Sequence, residues 1–395
     1  MSGEPLALYV HWPFCVSKCP YCDFNSHVRS HIDQAAWREA LLADLAHEAA
    51  LLPERELTSI FFGGGTPSLM EPATVAAIIE AACAHWSPAE KIEVTLEANP
   101  NSVEAARFAD LATTGVNRLS LGLQSFDDEA LRFLGRAHSA REGFRALEIA
   151  QKNFRRVSFD LIYALPGDSE AGWSATLAQA LSLGTSHLSL YQLTVEPGTR
   201  FAALERAGSL AQLDSDTAAL LYELTAAMTS AAGLSAYEIS NYARRGQESR
   251  HNLTYWRYQD YVGIGPGAHG RRLGMRTERH RKPENFLRAL QRSGHGIVEE
   301  ALLTPSQAAD EALVMGLRLS EGIDAAAIAE RFSLPRLVDW RQVDRLVGSG
   351  HLVSDGTRIR LTPSGRMLLD HILGEIAAPA APTAAAEPKV LAVAS

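Results

Sequence analysis

Three cysteines, Cys15, Cys19 and Cys22, stand in C-x3-C-x2-C spacing within Leu6–Asn25, LALYVHWPFCVSKCPYCDFN. The apolar run Leu8–Phe14 reads as a strand, so the cysteines lie on the loop that leaves it. Thiolates so closely spaced can converge on one metal centre, and soft thiolates favour iron–sulfur clusters or zinc. A closed zinc site, or a 4Fe–4S cluster held wholly by protein, wants four ligands. The one further cysteine, Cys83, falls in an alanine-rich apolar helical stretch and reads as a small buried hydrophobe. Three ligands leave one iron of a four-iron cluster open, and an open position is what a metal needs to bind a substrate. A zinc loop or a redox thiol pair is the plainer alternative.

The elements that must position these thiols alternate. Apolar runs at Leu6–Phe14, Ser59–Phe62, Ile92–Leu96, Arg118–Leu123, Val157–Tyr163 and His187–Leu193 read as strands. Helical stretches lie between them at Ile32–Leu52, Pro72–Trp86, Ser102–Thr114, Asp128–Asn153 and Glu170–Leu183. This pattern predicts an α/β fold, a parallel sheet covered by helices. Six strand–helix units are too few for an eight-fold barrel, so an open, partial (β/α)6 barrel is expected. Sites on such sheets lie at the carboxyl ends of the strands.

Each strand end carries a polar signal. After the second comes Gly63-Gly64-Gly65-Thr66-Pro67, where glycines let backbone approach a ligand and expose N–H groups to it. After the third comes Glu97, a carboxylate able to accept from ribose hydroxyls. Gln124 follows the fourth, and Arg136, suited to pairing with a carboxylate, is expected on the next helix. Asp160 ends the fifth, where a satisfied acid inside the sheet is the bland alternative.

The cysteine spacing, with Tyr21 before the third cysteine, resembles the radical S-adenosylmethionine (SAM) superfamily. The words YVHWPFC and CPYCDFNSH resemble its branch containing oxygen-independent coproporphyrinogen III oxidase and the HemW heme chaperones. The resemblance implies that Cys15, Cys19 and Cys22 hold a 4Fe–4S cluster whose open iron chelates the amino and carboxylate groups of SAM. An electron from the cluster then cleaves SAM to a 5′-deoxyadenosyl radical. It further implies SAM contacts at Gly64, Gly65, Thr66, Glu97, Gln124, Arg136 and Asp160, with Tyr9 and Tyr21 shaping the adenosine site.

The second half changes character. A helix is expected over Asp214–Ala232 and a strand-like edge over Tyr237–Ala243. The word His251-Asn252-Leu253-Thr254-Tyr255-Trp256 places an imidazole, an iron ligand, beside aromatics able to line a flat macrocycle. Chemistry alone favours a core histidine. With GIGPGAH after it the word resembles the HemW subfamily, which implies His251 as a heme ligand, with His269 and His11 weaker candidates. The four glycines of Tyr261–Gly270 predict tight backbone facing a ligand.

Helices at Pro305–Arg318, Asp324–Phe332 and Leu337–Ser349 precede a hairpin around Asp355-Gly356 and a helix at Pro363–Ile376. This resembles a small winged-helix-like domain. The expected division is 1–235 for the barrel, 236–303 for its extension, 304–376 for the winged-helix-like domain and 377–395 for a disordered Ala/Pro-rich tail.

The 395 residues, 46% hydrophobic and 21% charged with net charge −9, have an ordinary globular balance with mixed charges. That argues against a nucleic-acid partner and gives the last domain a lid or partner-contact role. No apolar run is long enough to span a membrane, no signal peptide is expected, and the clustered cysteines are not a disulfide framework. A cytoplasmic location follows. Within the resembled branch, the oxidase carries a further cysteine where this chain has Phe24, and an extra N-terminal cover that is not expected here. The expectation is therefore a chaperone that binds heme and passes it to an acceptor hemoprotein, with the oxidase as the alternative. A metal-stabilised module without SAM chemistry ranks last. A homodimer and peripheral contact with a membrane-bound acceptor are left open.

Overall fold

The computed structural model describes residues 3–378. The chain divides into two compact units, Met1–Leu302 and Leu303–Ser395. Apart from Ala377 and Ala378, the tail expected to be disordered lies outside the described residues.

The first unit is built on one open sheet. Its strands are β1 (Pro5–Trp12), β2 (Glu56–Gly64), β3 (Ser87–Ala98), β4 (Arg118–Gln124), β5 (Arg156–Tyr163), β6 (His187–Gln192), β7 (Ser235–Ala236), β8 (Asn241–Ala243), β9 (Tyr261–Ile264), β10 (His269–Arg272), β11 (Met275–Arg279) and β12 (Ile297–Leu302). Their order is β12-β11-β10-β9-β1-β2-β3-β4-β5-β6-β8-β7. Strands β1 to β6 are parallel neighbours in sequence order, the partial barrel that the alternation predicts. Strand β9 adds a further parallel strand outside β1, pairing Ala7 with Tyr261. Residues 236–302 thus continue the same sheet.

Alternation along each strand separates two faces. Val94, Leu96, Leu119, Leu121, Phe159 and Leu161 join the apolar core with residues of the covering helices, such as Leu41 and Leu45 of Gln34–Leu51 and Ile78 of Pro72–His85. The opposite face is polar. In register across it stand Ser59 with Glu93, Glu97 with Ser120 and Ser158, and Asp160 with Ser189. Burying such a face requires internal hydrogen bonds or a ligand.

Two helices differ from the sequence reading. The stretch expected as one helix over Asp128–Asn153 is two, Asp128–Phe133 and Ala140–Asn153. Gly135 takes a left-handed φ of 66°, and Ser139 with Glu142 forms a capping box that starts the second helix. Arg136 therefore sits in the loop between them rather than on a helix. Ser102–Thr114 likewise splits into Ser102–Ala105 and Phe108–Thr113.

The residues around Asp44 and Glu48 fasten β9–β12 to helix Gln34–Leu51. Fully buried Arg279 donates through Nε to Asp44 at 2.6 Å and through Nη2 to Glu48 at 2.8 Å. Arg272 joins Glu48, and the Gly265 and Gly296 amides donate to Asp44 at 3.1 and 2.9 Å.

In the second unit, helices Pro305–Leu317, Ala325–Arg331 and Trp340–Gly348 accompany a small sheet. Its strand Arg358–Leu361 pairs with both Leu352–Ser354 and Ile323–Asp324, so the expected hairpin gains a third strand.

Candidate metal and cofactor centre

A cavity of about 360 Å³ opens at the carboxyl ends of the parallel strands. Cys15, Cys19 and Cys22 line it, none of them in a disulfide. Among the described residues no group of His, Cys, Asp or Glu is gathered to hold a single metal ion. Thr66 donates through Oγ1 to Cys15 Sγ at 3.5 Å, and Arg136 through Nη1 to Cys19 Sγ at 3.4 Å. Cys83 is half-buried against the hydrophobic core, away from this cavity.

The cavity also gathers Tyr21, Gly64, Gly65 and Thr66 with Glu97, Gln124, Arg136 and Asp160. These come from strands β2 to β5 and the turn after β2, the cysteine loop and one interhelical loop, far apart in sequence. Burial, reinforced by Asp160, pushes the Glu97 carboxyl up to about 8, while the Gly64 amide donates to its Oε2 at 3.2 Å. Burial likewise raises Asp160 to about 6, against donation from Ser189 and Ser120. Gln124 holds a φ of 67°, strained for a side chain with a Cβ, and this conformation ends its strand at the cavity. Arg136 keeps a buried Nε with no hydrogen-bond partner among the described residues. The Arg136 guanidinium, which lines a cavity rimmed by thiols, brings a positive charge that suits a ligand with a carboxylate.

Three expectations need correction. The glycine loop does not expose its amides. Gly64 N–H is engaged by Glu97, and Gly65 N–H by the Trp12 carbonyl at 2.7 Å. Gly64, with φ 110°, is needed because a Cβ there would stand 2.5 Å from the His11 ring. Tyr9 does not line the cavity. Its side chain lies behind Gly63 on the inner face of the sheet, and its hydroxyl bonds His11 Nδ1 at 2.9 Å. The glycines of Tyr261–Gly270 face protein, not a ligand. A Cβ at Gly265 would meet the His11 carbonyl at 2.3 Å, and one at Gly267 the Asn25 amide at 2.4 Å.

His251 lies at the opposite end of the barrel. Helix Arg250–Trp256 packs beneath β1 and β2, and its first amides, those of Arg250 and His251, donate to Glu93. Glu93 and Glu97 lie four residues apart on β3, roughly 13 Å at about 3.3 Å per residue. The imidazole is 5% exposed, bonds Ser59 Oγ through Nδ1 at 3.3 Å, and stacks on Phe61 with centroids 4.9 Å apart. Burial lowers its pKa to about 4, so it is neutral. An iron ligand must present a ring nitrogen edge-on, and at this burial the ring is not presented to a macrocycle at the surface. In this conformation His251 floors the barrel and does not serve as a surface ligand. His11 is also buried, bonded to Tyr9 and the Asn25 carbonyl, whereas His269 is exposed beside Glu278.

Sequence reasoning missed Asn99, Glu104, Ser120, His138 and Tyr191, all of which line the cavity. Extending the alternation one residue past β3 could have found Asn99, in step with Glu93 and Glu97.

The Radical SAM superfamily profile matches residues 9–180 and the HemN C-terminal domain profile residues 303–368. The chain is 40% identical over 388 residues to the Bos taurus protein "Radical S-adenosyl methionine domain-containing protein 1, mitochondrial", covering 94% of this chain and 87% of that one. It is 37% identical over 379 residues to "Heme chaperone HemW" of Escherichia coli K12, covering 93% and 97%. Its fold matches the solved coproporphyrinogen III oxidase (HemN) of Escherichia coli with a TM-score of 0.78 and 23% identity, covering 94% of this chain and 90% of that one. The chain belongs to the radical SAM superfamily, in its HemN-like branch.

Proposed function

We propose that this chain is a heme chaperone that carries a 4Fe–4S cluster on Cys15, Cys19 and Cys22, binds exchangeable SAM beside it, and passes heme to an acceptor hemoprotein. The observation that carries the cofactor reading is the convergence of three free thiols with Glu97, Gln124, Arg136 and Asp160 in one cavity. A cluster with an open iron supplies a coordination position and an electron for SAM. The chain's own groups bind and orient: Arg136 offers its positive charge to a carboxylate, and Glu97 and Asp160 offer acceptors to hydroxyls. Tyr21, packed on Phe201, walls one side.

The chaperone reading is supported by the HemW relatives and by Phe24. Phe24 lines the cavity and is 59% exposed, at the position where the oxidase is expected to carry a further cysteine. An aromatic there offers a flat ligand a stacking surface and no thiol. Likeness to the oxidase, at 23% identity, speaks for the fold alone. Among the described residues no helix is long and apolar enough to cross a membrane, and a cytoplasmic site of action is part of the proposal.

The test is anaerobic. The reconstituted protein is given SAM, reductant and coproporphyrinogen III, with a parallel heme titration followed by absorbance. Heme binding near one per chain without decarboxylation is expected. Turnover of coproporphyrinogen would replace this reading with the oxidase. Replacing all three motif cysteines by alanine should abolish the 4Fe–4S absorbance, and its retention would refute the site.

A further inference from the structure

Asn99 lies two residues beyond Glu97, at the mouth of the cavity. Its carboxamide is bonded on both sides. Arg136 donates through Nη2 to Oδ1, and Nδ2 donates to Thr66 Oγ1 at 3.1 Å. The assignment of oxygen and nitrogen follows from the partners. A guanidinium only donates, so it must face the oxygen. The Thr66 hydroxyl has one proton, directed at Cys15 Sγ at 3.5 Å, so it accepts from the amide. Arg136 meanwhile donates through Nη1 to Cys19 Sγ at 3.4 Å.

Asn99 is itself held. Its backbone N–H donates to Glu104 Oε2 at 2.8 Å, and its Nδ2 lies 3.4 Å from Oε1. Glu104 is 1% exposed and also takes Ser68 Oγ and, at 2.6 Å, Asn101 Nδ2. A buried carboxylate with this many donors is a fixed point of the loop after β3.

We infer that Asn99 is a positioning residue: its amide joins the Arg136 guanidinium, which the Gly122 carbonyl also accepts from at 3.1 Å, to the Thr66 hydroxyl, and through them the Cys19 and Cys15 sulfurs, in one hydrogen-bonded frame anchored by Glu104. This rests on the cluster reading above and extends it. Hydrogen bonds to cluster thiolates favour the more negative reduced state and so raise the reduction potential. An amide is the side chain that can accept from Arg136 and donate toward Thr66 at once. Aspartate keeps the first function only, and alanine neither.

The test uses the full chain with its cluster reconstituted, the midpoint potential read by an EPR-monitored redox titration and SAM affinity by equilibrium binding. N99A is expected to shift the potential to more negative values and to weaken SAM binding roughly tenfold or more, as losses behind metal ligands do. N99D is expected to keep SAM affinity near wild type while the potential still falls. T66V, nearly isosteric, should lower the potential less than N99A, and it carries the test if the Asn99 variants fail to fold. An unchanged potential in N99A, or in T66V where that variant carries the test, overturns the inference but leaves the cluster reading standing. Absence of a 4Fe–4S signal in the wild type overturns both.

Discussion

Replacing Glu97 by Gln isolates the electrostatics of the cavity. In the folded chain burial and Asp160 raise this carboxyl from an ordinary 4.5 to about 8. A group whose folded pKa is raised contributes stability that is complete below its unfolded value and is lost as pH rises through the folded one. The useful window runs from pH 6.5 to 8. His11, His138 and His251, each lowered to about 4 by burial, and His27, His47 and His187, lowered likewise, still gain at most a few tenths of a kcal/mol each above 6.5, but they are common to wild type and E97Q and cancel in the difference. Asp160, at about 6, acts in the same direction but mostly below the window. Burial raises the Cys15, Cys22 and Cys83 thiols further above it. Across the window unfolded Glu97 is ionised while folded Glu97 goes from protonated to half ionised at pH 8, which costs up to about 1.4 kcal/mol per pH unit, or about 1.6 kcal/mol in all. Water entering the cavity makes that a ceiling. Equilibrium unfolding of the reduced, cluster-free chain at pH 6.5, 7, 7.5 and 8 should show the stability of wild type falling relative to that of E97Q by about 1.6 kcal/mol. A ligand that donates to Glu97 favours its ionised form, so SAM affinity should rise over the same window in wild type and not in E97Q. Parallel stability profiles for the two proteins would refute the buried, protonated carboxyl.

Two further substitutions test the frame around the site. Asp44→Asn leaves the fully buried Arg279 without its closest countercharge, and thermal unfolding should show a loss of about 3–5 kcal/mol; a loss under 1 kcal/mol would mean that the network does not fasten β9–β12 to the barrel. His251→Ala removes a stacked ring from the barrel floor and strands the Ser59 hydroxyl, for about 2–4 kcal/mol, while heme affinity stays within twofold. Weakened heme binding in a variant as stable as wild type would restore His251 as a ligand.

Much of the centre was legible because its signals are local. Cysteine spacing is a property of one loop, and a polar residue at the end of an apolar run needs only the strand rule to be placed at the sheet's carboxyl edge. The two helices within 128–153 were legible too. Gly135 and the Ser139–Glu142 capping box mark the break, yet the long amphipathic pattern masked it and with it the loop that delivers Arg136. Local signals do not say which way a group faces when two elements compete for it. The amides of Gly64 and Gly65 read as ligand donors, but neighbouring strands present Glu97 and the Trp12 carbonyl to them first.

What the sequence by itself determined was the inventory: three thiols with no fourth at hand, an alternation of strands and helices, and acids and amides at successive strand ends. Tertiary structure alone decided the partners. It set Tyr9 behind the glycine loop, sent His251 to the floor under Glu93, and joined Arg136, Asn99, Thr66 and two cysteines into one network. The physical reason is that spacing and periodicity set a residue's face and height along its own element. Hydrogen-bond partnership depends on the approach of elements dozens of residues apart, which is settled only when the open sheet curls over its polar face.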